Sequence, residues 1–162
     1  MVIYLAHPID QAGKHNHYIN GLAKEAREVL ADIGCTVYSP ALAWQAQIPL
    51  PPAIQRVNNE ALLASDGALF LIPDGVQTLG VPFELGLAHA YGIPSVIVKG
   101  SGLEQHPRAS SALLAYLSDM PVFGCVDVVS ACFAVANLAK HRYTVFSARE
   151  ANGDTNESKG VD

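Results

Sequence analysis

The sequence predicts a single α/β domain built on a parallel sheet. Short, continuous apolar runs recur along the chain, and segments of helical spacing separate them. Strands in which apolar and polar residues do not alternate are typical of a sheet that helices cover on both faces. The 162 residues suffice for one sizeable hydrophobic core. We therefore expect a doubly wound, five-stranded parallel sheet of flavodoxin- or Rossmann-like architecture in residues 1–146.

The first strand and helix establish the pattern. The run VIYLA at residues 2–6 predicts a buried strand. Apolar residues then recur at helical spacing from Ile19 to Ile33, and Gly34 is a typical helix stop. The alternation continues with strands at 35–40, 67–72 and 95–98 and with helices at 53–64 and 82–91.

The carboxyl-terminal part repeats the pattern with shorter elements. We expect a helix around 109–117, a strand at 122–126 and a last helix from about Asp127 to Lys140. The final stretch at 147–162, SAREANGDTNESKGVD, is polar and rich in small residues. That composition is typical of a disordered tail.

Composition excludes several classes of function. The net charge is -5 and the ten Lys and Arg residues are scattered, so we expect no nucleic-acid partner. The first residues lack a secretory signal, and the apolar runs are shorter than the ~20 residues of a membrane span. Three cysteines without paired ligand spacing suggest neither disulfides nor a zinc site. We expect a soluble cytoplasmic protein that binds a small molecule.

Glu84, in the stretch VPFELGLAHA, is the first candidate for catalysis. In a parallel sheet, ligands bind outside the carboxyl ends of the strands, and Glu84 lies shortly after the predicted strand GALFLI. If Pro82 is the first helical residue, Glu84 lies in the first turn, where helix N–H groups favour a carboxylate. A capping box would also explain a Glu there, but it requires Ser or Thr where Gly80 or Val81 stands. The structural explanation is therefore incomplete.

Two other features have competing interpretations. Gly86 in the interior of the same helix costs about 1 kcal/mol relative to alanine, which suggests tight packing. Trp44 belongs to the proline-rich loop AWQAQIPLPPAIQ, which is either a lid over the crevice or a segment packed against the domain.

Three segments resemble one known family. IYLAHPI, NNEALLASDGALFLIPDG and TLGVPFELGLAHAYGIPSVIV are similar, in order and spacing, to the nucleoside 2-deoxyribosyltransferase superfamily, including its 2'-deoxynucleoside 5'-phosphate N-hydrolase branch. The similarity covers residues 2–100 and extends more faintly to about 140. It implies cleavage of the N-glycosidic bond of a (2'-deoxy)nucleoside or its 5'-monophosphate, with no metal or organic cofactor. The sugar would pass to water or to another base.

The resemblance assigns roles to four residues. It implies that Glu84 is the nucleophile, that the Tyr4 hydroxyl orients it, and that Gly80 lets the loop approach the sugar. Without the resemblance, Tyr4 would be interpreted as a tyrosine at the edge of the core. Asn58 stands where the family has an aspartate that serves the leaving base. An amide contacts a base by hydrogen bonding but cannot donate a proton as an acid.

The substrate and the assembly stay open at this stage. Thr78 resembles the serine that binds phosphate in the hydrolase branch, whereas an anionic Asp10 would repel a 5'-phosphate. His7 and Trp44 are candidates for shaping the base pocket. Ser111 in RASSALLAYL resembles a residue that reaches into a neighbouring subunit's site, which implies a homodimer or larger homo-oligomer. A helix N-cap explains this serine equally well.

The sequence admits two alternatives to an N-glycosidase or transferase. A non-catalytic module that binds or senses a nucleotide is favoured by Asn58 in place of the acid. A dinucleotide-dependent oxidoreductase is disfavoured, because HPIDQAG rather than a glycine-rich turn follows the first strand.

Overall fold

The computed structural model describes residues 1–8, 14–43, 51–72, 80–100, 120–124 and 127–151. Strands and helices alternate along these ranges. The strands are β1 (Val2–Ala6), β2 (Thr36–Tyr38), β3 (Gly67–Ile72), β4 (Ser95–Lys99) and β5 (Val122–Gly124). The helices are α1 (Lys14–Asp32), α2 (Pro40–Ala43), α3 (Pro51–Leu63), α4 (Gly80–Ala90) and α5 (Val128–Ala151).

The five strands form one parallel sheet in the order β2-β1-β3-β4-β5. This is the flavodoxin-like order of a doubly wound fold, so the predicted fold class is confirmed. In the register of β1, Tyr4 pairs with Tyr38 of β2 on one side and with Ala68 of β3 on the other. The order of the strands reverses between β1 and β3, and ligands bind at such a switch point in open α/β sheets.

Side chains of β1 alternate between two hydrophobic clusters. Ile3 and Leu5 pack with residues of α1 and α5 on one face of the sheet. Tyr4 and Ala6 pack on the other face with residues of α3 and α4. β3 is buried along its whole length, as the continuous apolar run GALFLI predicts. The candidate residue Glu84 therefore belongs to a helix on the Tyr4 face.

Glycine ends two of the helices. Gly34 after α1 and Gly92 after α4 have φ of 81° and 61°, the left-handed conformation that a helix C-terminus often requires. Gly34 confirms the expected end of the first helix. The structure adds a short helix, Pro40–Ala43, that the sequence analysis does not predict.

The last helix is longer than predicted. α5 continues past Lys140 to Ala151, because the added segment HRYTVFSAREA contains neither glycine nor proline. The expected helix at 109–117 and residues 152–162 lie outside the described residues, so the domain boundary at residue 146 stays a prediction. Among the described helices, none combines the length and the hydropathy that a bilayer-spanning segment requires.

Candidate active site

Tyr4 lies at the centre of the candidate site. It lies on β1, between the edge strand β2 and β3, and its exposed fraction is 0%. Its hydroxyl donates a hydrogen bond to Oε1 of Glu84 over 2.7 Å. A buried tyrosine hydroxyl usually has a polar partner, and here the partner is the carboxyl that the sequence singles out. Tyr4 is therefore a fully buried core residue whose hydroxyl contacts Glu84, and its role in orienting the nucleophile stays a prediction.

Glu84 is positioned by α4, which begins earlier than expected. The helix begins at Gly80 rather than Pro82, so Glu84 is beyond its first turn. Pro82 is tolerated in the first turn of α4, because the first N–H groups of a helix have no hydrogen-bond partner within the helix. The expected support of the Glu84 anion by the helix N-terminus is therefore wrong, since that effect fades after the first turn.

The environment of Glu84 favours its neutral form. Burial raises the pKa of its carboxyl from 4.5 to about 7, although the Tyr4 hydrogen bond acts in the opposite direction. Desolvation disfavours the charged state, whereas a donor to the carboxylate favours it. Near neutral pH the carboxyl is thus divided between the protonated and the ionised form. A carboxyl poised in this way suits covalent or acid–base chemistry at neutral pH.

Tyr4 acts only as a donor in this pair. Burial raises the pKa of its hydroxyl, and the neighbouring Glu84 raises it further. The phenol therefore keeps its proton at any pH at which the protein would work. A hydroxyl that cannot ionise holds one carboxyl oxygen in a fixed position and leaves Oε2 for other contacts.

A second tyrosine extends the site towards Asn58. Tyr38, the last residue of β2, stacks on the Tyr4 ring with centroids 5.6 Å apart and an interplanar angle of 22°. Its hydroxyl donates to Oδ1 of Asn58 on α3 over a long 3.4 Å. Burial raises the pKa of Tyr38, and Glu84 adds to the effect. The stacked tyrosines thus connect Glu84 with Asn58, the residue expected to contact the base, through one hydrogen bond at each ring.

His7 follows the carboxyl end of β1 and is buried, with an exposed fraction of 8%. Its Nδ1 lies 3.2 Å from the Pro8 carbonyl oxygen. Because a carbonyl only accepts, Nδ1 carries the hydrogen in this bond. Burial lowers the pKa of His7, so the ring is neutral at pH 7 and its Nε2 is an acceptor.

The remaining predicted residues divide into two groups. Gly80 is the first residue of α4, one turn before Glu84. Thr78, Trp44 and Ser111 lie outside the described residues, so their proposed contacts stay predictions. Within the described ranges, no group of three His, Cys, Asp or Glu side chains is arranged to hold a metal ion.

Comparison with known proteins gives structural neighbours only. No protein-family model matches the chain, and no curated protein does. A 2-deoxyribosyltransferase from Bacillus psychrosaccharolyticus is 24% identical, with a TM-score of 0.50 over 61% of this chain and 72% of its own. The CMP N-glycosidase BcmB from Clostridium botulinum is 14% identical, with a TM-score of 0.55 over 76% and 86%. A conserved protein from Enterococcus faecalis V583 is 21% identical, with a TM-score of 0.53 over 87% and 98%.

The chain has the 2-deoxyribosyltransferase-like fold. The fold implied by the sequence resemblance is thereby confirmed. At these identities the likeness concerns the fold, so the chemistry has to be argued from the residues of the site. The residues that the structure brings together are Tyr4, Glu84 and, through Tyr38, Asn58.

Tyr38 and its neighbour Ser39 are not predicted from the sequence. Tyr38 ends the strand CTVYSP, and its position at a strand's carboxyl end was the available signal. Ser39 is 4% exposed, and its Oγ is a buried hydroxyl for which no hydrogen-bond partner is found among the described residues. Buried hydroxyls usually have partners, so we expect the Ser39 hydroxyl beside Tyr38 to contact a ligand or a group outside the described residues.

Proposed function

We propose that the protein cleaves the N-glycosidic bond of a (2'-deoxy)nucleoside or nucleoside 5'-monophosphate through a covalent ester on Glu84. The single observation that carries the proposal is the 2.7 Å hydrogen bond from the buried Tyr4 hydroxyl to Glu84 Oε1. It holds a carboxyl with a pKa of about 7 beside the switch point of the sheet. The 2-deoxyribosyltransferase and the CMP N-glycosidase among the structural neighbours support the same class of chemistry.

The first step breaks the bond between the sugar and the base. The ionised Glu84 attacks C1' of the sugar, and the electron pair of the C1'–N bond passes to the base nitrogen. Charge at C1' is oxocarbenium-like in the transition state, so a close carboxylate stabilises it before the C–O bond forms. Tyr4 holds Oε1 by its hydrogen bond. Oε2 is the better placed oxygen to form the ester.

Departure of the base also requires a proton. Asn58 and a neutral His7 are poor acids, so neither supplies that proton readily. We propose that Asn58 binds the base by hydrogen bonding and that the Tyr38 hydroxyl orients the Asn58 amide. The proton then comes from water or from a group outside the described residues.

The second step regenerates the carboxylate. A water molecule attacks C1' and loses a proton while the ester C–O bond breaks, which completes hydrolysis. When the attacking atom is a nitrogen of another base, the result is transfer of the sugar. Both outcomes use the same glycosyl ester, so the identity of the acceptor decides between hydrolase and transferase.

The remaining roles belong to the same proposal. Gly80 and Thr78 would hold the sugar or phosphate side, and His7 and Trp44 would border the base pocket. Ser111 would reach the site of a neighbouring copy in a homodimer or larger homo-oligomer. The protein would act in the cytoplasm on small nucleosides or nucleotides, with neither a cofactor nor a nucleic-acid partner.

The proposal is tested by assaying base release. The purified chain is incubated with a panel of nucleosides and 5'-monophosphates, with and without an acceptor base, and free or exchanged base is separated by chromatography. We expect release from at least one substrate and its loss in Glu84→Gln, which keeps the shape of the side chain. The matched control is Glu60→Gln, since Glu60 is an exposed glutamate on α3. Release at the wild-type rate by Glu84→Gln excludes the mechanism.

A second candidate is a binding module that senses a nucleotide without cleaving it. It is favoured by Asn58, an amide where the resemblance implies an aspartate that serves the leaving base. A sensor would show ligand-dependent thermal stabilisation with no release of base. The chromatographic assay and a thermal shift measured on the same samples distinguish the two.

A further inference from the structure

The hydroxyl of Tyr38 orients the amide of Asn58. Asn58 lies on α3 and is 8% exposed, and its Oδ1 accepts the Tyr38 hydrogen bond over 3.4 Å. Burial raises the pKa of Tyr38, so the hydroxyl keeps its proton and is the donor of this pair. The Nδ2 end of an amide carries two N–H groups and only donates. Asn58 therefore offers hydrogen-bond donors, but no acid, to a ligand beside the stacked tyrosines.

The titratable side chains described around this amide are poor proton donors. Burial raises the pKa of the hydroxyls of Tyr4 and Tyr38, and the carboxyl of Glu84 raises both further. Burial lowers the pKa of His7, so its ring is neutral at pH 7. Glu84 itself has to be ionised to attack C1'. None of these four side chains is suited to protonate a base as it leaves.

Acid from the solution does not replace such a group. Protonation of a base before it leaves requires an acidic medium, in which Glu84, with a pKa of about 7, is itself protonated. A protonated carboxyl cannot attack C1'. The conditions that would activate the leaving group in this way therefore remove the nucleophile.

Departure of the base as an anion agrees with the electrostatics of the site. Burial disfavours charge there, because it raises the pKa of Glu84. Attack by the carboxylate forms a neutral ester, and the electron pair of the C1'–N bond carries the negative charge to the base nitrogen. The site therefore holds one negative charge before and after this step. An N–H group of Asn58 stabilises an anionic base more strongly than a neutral one.

We propose that Asn58 selects substrates whose base leaves as a stable anion, and that among pyrimidines it favours uracil over cytosine. This inference rests on the proposed function, since it concerns the leaving group of that reaction. The charge of the uracil anion spreads over the N1 atom and the carbonyl oxygens, and such an oxygen accepts from Nδ2. Cytosine has an amino group in place of one of these oxygens, and its N1–H is a weaker acid. It therefore depends more on an acid, which Asn58 cannot replace.

The proton reaches the base after the C1'–N bond has broken. The base anion takes a proton from a water molecule, and the hydroxide that forms attacks C1' of the ester. The ester C–O bond breaks, which releases the sugar and regenerates the Glu84 carboxylate. The sum is one substrate and one water giving one free base and one free sugar.

The test compares base release from substrates that share a sugar. They are 2'-deoxyuridine, its 5-fluoro and 5-bromo derivatives and 2'-deoxycytidine, or their 5'-monophosphates if the chain prefers those. The halogens raise the acidity of the base without altering its hydrogen-bonding groups. We expect kcat/KM to rise with this acidity, and 2'-deoxycytidine to be at least roughly a hundredfold slower than the bromo derivative, the lower end of what general acid catalysis contributes. Release of cytosine at the rate of 5-bromouracil overturns the proposal and leaves the ester on Glu84 untouched.

Variants separate selectivity from folding, although the comparison of wild-type rates requires no variant. Asn58→Asp restores a carboxyl, so it should narrow the ratio between the bromo derivative and 2'-deoxycytidine by at least about tenfold. The matched control is Asn137→Asp, at an exposed position on α5 across the sheet, which should keep the wild-type ratio. An unchanged ratio in Asn58→Asp overturns the role of Asn58, since a structural residue would change all rates alike. Failure of the proposed function looks different, because no nucleoside or monophosphate of the wider panel would then release its base.

Discussion

The Tyr4 hydroxyl and the Glu84 carboxyl, 80 positions apart in the chain, form a 2.7 Å hydrogen bond beneath α4. Tyr4 lies on β1, on one side of the switch point, whereas Glu84 lies on α4, the helix that follows β3 on the other side. The bond therefore ties the helix to the strand at the place where a ligand would bind. Its effect on the pKa of Glu84 leads to the first prediction.

The rate should depend on ionisation of Glu84. Only the carboxylate can attack C1', so kcat/KM should fall about tenfold per pH unit below the pKa and level off above it. The inflection is expected near pH 7, because burial raises the Glu84 pKa to about 7. In Tyr4→Phe the donor that lowers this pKa is lost, so the inflection should move upward.

The same variant should also be slower on the alkaline plateau. A hydrogen bond to a charged group contributes about 1.5–3 kcal/mol, which corresponds to a loss of roughly 10- to 150-fold. The control is Tyr18→Phe, at an exposed position on α1 across the sheet. A Tyr4→Phe profile that matches the wild type in inflection and plateau would show that the bond has no catalytic role.

The free energy of unfolding should also depend on the ionisation of Glu84. The folded-state pKa of Glu84 lies above the ordinary 4.5, so the protonated carboxyl favours the folded state, and this contribution is lost as pH rises from about 4.5 through about 7. Glu84→Gln is neutral at every pH and still accepts from Tyr4. It should therefore be more stable than the wild type at pH 8, by up to about 3 kcal/mol, and lose that advantage near pH 4. Urea unfolding at the two pH values measures the difference. Glu60→Gln, whose carboxyl is exposed, should show no such trend.

Tyr38 should act on the base side of the site. Tyr38→Phe keeps the stacked ring and removes the hydroxyl that donates to Asn58. The expected loss in kcat/KM is about two- to tenfold, since a neutral hydrogen bond contributes about 0.5–1.5 kcal/mol. The loss should differ among substrates that share a sugar and vary in the base, while the pH inflection stays in place. An equal loss for every base would mean that Tyr38 supports the fold only.

Much of the fold follows from the pattern of apolar residues. The run GALFLI is buried along its length because both faces of β3 are covered, and that is why it shows no alternation. The start of α4 was harder to predict. Pro82 suggests that the helix begins at residue 82, because proline is common at the first helical position. Proline fits any position in the first turn, however, because the N–H group that it lacks would have no partner there.

The site itself was only partly predictable. Glu84 stands out because it interrupts an apolar segment, yet its burial depends on packing against a distant strand. The stacking of Tyr38 on Tyr4 depends on the register of two parallel strands, which a single sequence does not specify. An added Cβ at Gly86 would meet no described atom within 4 Å, and this likewise depends on which side of α4 faces the core.

Gly67 offers a test of the packing between sheet and helix. A Cβ there would lie 3.2 Å from both Ala139 Cβ and the Pro94 carbonyl oxygen, and 3.3 Å from Val135 Cγ2. We expect Gly67→Ala to destabilise the fold by about 1–3 kcal/mol, because the backbone and α5 have little room to move. Chemical denaturation measures the change. Gly86→Ala, which adds the same methyl group in open space, is the matched control, and an equal effect of the two substitutions would contradict the packing described for β3.

The central claim is that Glu84 forms a bond to the sugar, and its most direct test is peptide mass spectrometry after acid quenching during turnover of the best substrate. The mechanism predicts a sugar-sized mass increment on the peptide that contains Glu84, absent in Glu84→Gln and retained in Glu60→Gln. A sugar attached to another residue, or base released by Glu84→Gln at the wild-type rate, would contradict it.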